Sequence, residues 1–237
     1  MLGYTILLIA IIVCYATLVW LLDYIPSSKI VNGLFCGIVV VGHIFCMLRM
    51  AMSVGLRDWN FTNTLPTANV SPFMYLTAGV VLFLPKKVRN IFLTLISLLA
   101  FGLFVAGLLN CVANIARDYA FHATIAVDSV IHAILSLFGV YLVKSGQVEW
   151  NKKNAAKSGL VIIGVAFLML VLNLFFDTAF FGLSLEGKHN IYNVVLCESG
   201  AVNAILYFSG LLAVLIAGYF YQKWLTRKEK KLWRLET

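Results

Sequence analysis

In a chain of 237 residues, 62% are hydrophobic and 12% are charged, about half the charge of an average soluble domain. That much apolar surface cannot be enclosed in one soluble core of this size, so lipid must be the solvent. The net charge of +8 would suggest nucleic acid in a soluble protein, but here the basic residues collect in loops and a tail, where they orient a membrane protein and imply no nucleic-acid partner.

Apolar runs of about 20 residues, enough to cross the hydrocarbon layer, fall at 4–22, 30–52, 90–115, 122–143, 159–183 and 199–222. The first run lacks a basic leader and is too long for a signal-peptide core, so it reads as a retained span. A shorter run, Phe73 to Leu84, lies between Pro72 and Pro85. As a helix it rises only about 18 Å, short of a hydrocarbon core of roughly 30 Å. Two arrangements fit. A helix from about Leu65 to Leu84 could span with a kink at Pro72. Alternatively, residues 62–71 dip into the membrane and the helix starts partway across. Asn69 or Ser71 as a cap, with Pro72 in the first turn, favours the dipping loop. The chain is therefore read as an all-α polytopic membrane helix bundle of about seven transmembrane helices, one domain over 1–237 with a basic tail at 223–237.

The charges set the expected orientation. With seven spans and an external N-terminus, all but four of the 18 Lys and Arg residues fall on the cytosolic side, as the positive-inside rule requires. The exceptions are Arg49, Arg57, Arg117 and Lys188. The C-terminus is then cytosolic, and the plasma membrane is the expected location.

On this topology the polar residues of the spans collect near the midplane and in the outer half. His43 and Arg49 lie on the second span, Asn110 and Asn114 on the fourth, His122, Asp128 and His132 on the fifth. Asn173 and Asp177 lie on the sixth, Glu198 and Asn203 on the seventh. Asn110/Asn114, Asp128/His132 and Asn173/Asp177 are spaced by four residues, which puts both members on one helix face. Ionisable groups in hydrocarbon cost a few kcal/mol or more unless they face a bundle interior, a partner or water. These stripes are therefore expected to converge on one outward-opening cavity, with Arg49 partnered by Asp128, Asp177 or Glu198. Each Asn could instead serve only to bind neighbouring helices, and His43 could be a satisfied core histidine. Asp128 with His132 is harder to explain that way, because an acid one turn from an imidazole orients it for proton transfer.

No metal or other cofactor is expected. His43, His132, Asp128 and Asp177 could in principle ligate, but there is no HExxH or paired-Cys motif. Cys14, Cys36, Cys46, Cys111 and Cys197 show no ligand spacing. A nucleophile, if one is used, would be the hydroxyl of Thr67 or Ser71 near the dipped segment, where a helix start offers N–H groups to an oxyanion.

Three short stretches carry a family resemblance. They are Leu65-Pro66 with the apolar run after it, Val130-Ile131-His132-Ala133-Ile134-Leu135 followed by Gly139-Val140-Tyr141-Leu142, and Asn173-Leu174-Phe175-Phe176-Asp177-Thr178 running into Phe180-Phe181-Gly182-Leu183. Their order resembles the YwaF-like integral membrane proteins. These are similar to the transmembrane protein 164 family of lipid acyltransferases and, more remotely, to the androgen-induced hydrolases of lipid esters. The resemblance implies a His on a later helix, here His132, working with a Cys or Thr on an earlier one. The Cys expected shortly after Leu-Pro is absent; Val70 or Ser71 stands there. The expected function is a membrane-embedded lipid acyl hydrolase or acyltransferase. Its catalytic candidates are His132, Asp128, Ser71 and Thr67, and its substrate-binding candidates are His43, Arg49, Asn110, Asn173, Asp177 and Glu198. The alternative is a non-catalytic membrane protein that binds lipid or a small molecule, as a homo-oligomer or as a subunit of a transport or signalling complex.

Overall fold

Each long apolar run forms a helix. The computed structural model describes residues 2–54, 70–176, 181, 183 and 200–232. Its helices are α1 (Leu2–Leu21), α2 (Lys29–Val54), α3 (Val70–Val80), α4 (Lys86–Ala116), α5 (Ala123–Lys144), α6 (Lys152–Phe176) and α7 (Gly200–Leu232), with no strand among the described residues. All but α3 are long and apolar enough to cross a membrane. Helices suit this solvent because they satisfy their own backbone groups where no water is available. The chain is a polytopic α-helical membrane protein.

α5 is the hub. Its spanning stretch is 72% buried inside the bundle and that of α4 is 56% buried, against 17% for α1. α1, α2 and α3 surround α5, while α6 and α7 pack on α4. Glycines let the backbones approach. A Cβ on Gly107 of α4 would sit 2.8 Å from the Ser129 carbonyl oxygen and 3.1 Å from Cβ of His132. A Cβ on Gly139 of α5 would sit 2.7 Å from the Ile96 carbonyl oxygen. Small residues at such crossings replace the hydrophobic drive that lipid cannot supply.

α3 is the irregular element. A single 3-10 turn, Val81–Phe83, follows it, and then Leu84 is extended at φ −73° and ψ 150°, the conformation that Pro85 imposes on its predecessor. At its start Pro72 occupies the first turn, where its missing N–H would have had no helical partner. Ser71 lies against His132, about 14 Å from the start of α5 by helical rise. The described part of α3 therefore starts partway across the bundle. The expected dip at 62–71 lies outside the described residues up to 69.

The helix ends sort into two faces. At one, Lys144 pairs with Asp23 and donates to the Val19 carbonyl at 2.8 Å, and the Asn32 and Gln147 side-chain amides bond each other at 2.6 and 3.2 Å. Gly146 closes α5 there at φ 71°, a left-handed turn that glycine adopts without strain. At the other face, the His122 N–H donates to the Tyr4 hydroxyl at 3.0 Å, and Cys46 Sγ lies 3.5 Å from the Thr124 carbonyl. The starts of α2, α4 and α6 and the end of α5 share the first face, so Lys29, Lys86, Lys144 and Lys152 gather there. α7 continues to Leu232, ten residues past the expected span, because Lys, Arg and Glu are good helix formers. The first part of the basic tail is helical.

Candidate functional site

The close approach of α4 and α5 at Gly107 sets up the site. One turn along α4, Asn110 Nδ2 donates to Asp128 Oδ2 at 2.8 Å. Asp128 is one turn before His132 on α5, and its Oδ2 lies 3.5 Å from His132 Nδ1. The same Nδ1 is 2.8 Å from the Asp128 backbone carbonyl. The other ring nitrogen, Nε2, is 2.8 Å from Ser71 Oγ in the first turn of α3.

Tyr75 completes the cluster. Its hydroxyl donates to Asp128 Oδ1 at 3.1 Å and lies 2.5 Å from His132 Nδ1 and 3.3 Å from Nε2. The ring of His43 stands 5.1 Å from that of Tyr75, centroid to centroid. Sequence reasoning weighed acids, imidazoles and amides and passed over Tyr75. A signal was present, because Ser71 and Tyr75 are four residues apart and share a face of α3.

Two members of the cluster are buried and two are partly exposed. Side-chain exposure is 5% for His132 and 32% for Asp128, Tyr75 is 1% exposed, and Ser71 is half-buried. Such a cluster has the parts for nucleophilic or general-base chemistry: a hydroxyl on an imidazole, with a carboxylate behind it.

Of the remaining candidates, Asn173 and Arg49 are described. Asn173 is buried, and its amide donates to the Leu183 carbonyl. Phe181, two residues before Leu183, meets Phe73 of α3 edge-on with centroids 6.0 Å apart. Arg49 is exposed near the end of α2. Of its three expected partners, Asp128 is engaged instead by Asn110 and Tyr75. Asp177, Glu198 and Thr67 lie outside the described residues. Among the described residues no group of three His, Cys, Asp or Glu side chains could hold a metal ion.

A separate apolar groove of about 700 Å³ runs between α2 and α5, lined by residues that include Gly37, Val41, Phe45, Val130 and Ile134. Val130 and Ile134 are each two residues from His132, about 200° around the helix. The groove therefore faces away from the polar cluster. Comparisons of the chain with protein-family models, with curated proteins and with solved structures found no match.

Proposed function

We propose that the chain is a membrane-embedded lipid acyl hydrolase or acyltransferase, related to the YwaF-like membrane proteins and working at the cell membrane. The observation that carries this reading is the 2.8 Å contact between Ser71 Oγ and His132 Nε2, with Asp128 behind the ring. A base within hydrogen-bond reach of the attacking hydroxyl is the first requirement for ester cleavage. Ser71 Oγ attacks the ester carbonyl as its proton passes to Nε2 of His132. The tetrahedral intermediate collapses by breaking the carbonyl carbon–oxygen bond, and His132 returns the proton to the departing alcohol. Water then releases the acyl group from Ser71 in a hydrolase, or a second lipid's hydroxyl takes it in an acyltransferase. A helix start directs N–H groups toward an oxyanion, and the first turn of α3, which carries Ser71, would do so here.

On this reading the face bearing Lys29, Lys86, Lys144 and Lys152 is cytosolic, and the partly exposed side of the site faces outward. One observation favours a second reading, a non-catalytic lipid-binding protein. Every polar side chain of the cluster already has a hydrogen-bond partner within it, as in a purely structural network.

The test is purified protein in nanodiscs with ester lipids, comparing wild type with Ser71→Ala and His132→Ala. Loss of turnover in both variants supports the covalent route. Loss in His132→Ala alone transfers the nucleophile's role to a water held by the imidazole. No turnover of any ester lipid by wild type rejects the enzyme in favour of the binding protein.

A further inference from the structure

We infer that Tyr75 is a positioning residue, whose hydroxyl bridges the Asp128 carboxylate to Nδ1 of His132 and keeps the lone pair of Nε2 aimed at Ser71. The consequence for turnover rests on the ester-cleavage reading; the proton placement rests on the contacts alone.

A neutral ring beside an ionised Asp128 has two arrangements of protons. In the first, Tyr75 donates to Nδ1, and Nε2–H donates to Ser71. The bare Nδ1 would then face the Asp128 carbonyl oxygen at 2.8 Å and carboxylate Oδ2 at 3.5 Å. Neither oxygen has a proton to offer, so lone pair meets lone pair in surroundings too apolar to screen the repulsion. Asp128 Oδ1, 3.1 Å from the Tyr75 oxygen, would lose its donor as well.

The second arrangement satisfies every group. Nδ1–H donates to the Asp128 carbonyl at 2.8 Å, with the Tyr75 oxygen beside the ring at 2.5 Å from Nδ1. The Tyr75 O–H donates to Asp128 Oδ1, and the Asn110 amide donates to Oδ2. Nε2 is left bare and accepts from Ser71. This is the tautomer a general base needs. When Nε2 takes the Ser71 proton, the charge on the ring is met by the carboxylate through Tyr75 as well as directly. Tyr75 is 1% exposed, so no free water is on hand to replace its hydroxyl. The fold supports the bridge, because the same turn of α3 that presents Ser71 to Nε2 presents Tyr75 to Nδ1. One helix grips the ring at both nitrogens.

The experiment is NMR of the full chain in nanodiscs with ¹⁵N,¹³C-labelled histidine, the His132 ring being identified by its loss in His132→Gln. Wild type is expected to show a protonated Nδ1 and a bare Nε2. Tyr75→Phe, checked for helical content by circular dichroism, is expected to show a mixture of tautomers. Its kcat on an ester lipid should fall about tenfold to a hundredfold, within the usual reach of a positioned base, with KM unchanged. A protonated Nε2 in wild type overturns the inference, as does a Tyr75→Phe spectrum identical to that of wild type. If Tyr75→Phe fails to fold, the wild-type spectrum alone decides. If wild type turns over no lipid yet shows the expected tautomer, the ester-cleavage reading falls and the bridge stands.

Discussion

Gly107→Ala tests whether the site depends on how closely α4 approaches α5. The new methyl would stand 2.8 Å from the Ser129 carbonyl oxygen, where ordinary contacts begin at 3.4 Å, so the helices must separate by about 0.6 Å at this level. The neighbour at 2.8 Å is backbone inside a helix and cannot turn aside. Overpacking of this kind costs about 1–3 kcal/mol, while replacing a helical glycine returns up to about 1 kcal/mol of propensity. The net expectation is a loss of about 1–2 kcal/mol, a fall of roughly 2–8 °C in Tm for a chain of this size. Asn110 is one turn away on the same helix, and carrying it outward by the same distance stretches its 2.8 Å bond to Asp128 to the edge of hydrogen-bonding range. The assay is thermal unfolding in mild detergent beside Gly164→Ala, a control whose added methyl meets nothing within 4 Å. If Gly107→Ala proves as stable as Gly164→Ala, the helices are not held apart by that carbonyl and the packing argument is wrong.

Three further outcomes are expected. Tyr15→Phe removes a hydroxyl bonded to Ser136 at 2.6 Å and to Tyr221 at 3.1 Å; leaving a fully buried Ser136 short of a partner should cost about 1–3 kcal/mol, and an unchanged melt would count against the bond. Asp23→Ala strands the Lys144 ammonium, whose side chain is 5% exposed, and should lower stability by a smaller margin than a fully buried pair would, since Asp23 is half in solvent; Lys144→Met, which removes the charge as well, should be the milder change, and the opposite ranking would refute the desolvation argument. Single cysteines placed in the 146–151 loop should resist an impermeant thiol reagent added to intact cells, because that loop shares a face with the clustered lysines; rapid labelling would reverse the proposed orientation.

The spans were legible because lipid leaves a chain little choice: a run of apolar residues this long becomes a helix or does not cross. Asp128 and His132 were legible for a related reason, since their fourfold spacing on a helix fixes a shared face before any packing is known. For Asn110 and Asn114 the spacing gives a shared face but not a shared partner. Asn110 reaches Asp128 across the helix crossing while Asn114 turns back to the Asn110 carbonyl at 2.7 Å. Spacing predicts direction, and the neighbouring helix decides the partner. The start of α3 was ambiguous because Pro72 suits either a kink or a first turn, and the residues before Val70 that would separate the two lie outside the described residues. Tyr75 was missed because tyrosine counts as apolar in any hydropathy sum, although its one polar atom must find a partner when buried.

The serines of the bundle give an internal standard for judging Ser71. Ser97 and Ser129 are fully buried, and each hydroxyl donates to a carbonyl four residues earlier on its own helix, at 3.0 and 2.9 Å. That is how a serine inside a helix ordinarily disposes of its proton. Ser136 is fully buried too and bonds a tyrosine. Ser71 differs in both respects. It is half-buried, and its hydroxyl lies against the imidazole of another helix. Its hydroxyl reaches across from α3 to α5. A structural serine could be closed in without loss. The nucleophile proposed above would have to be reached, and Ser71 and Asp128 are partly exposed beside a buried His132.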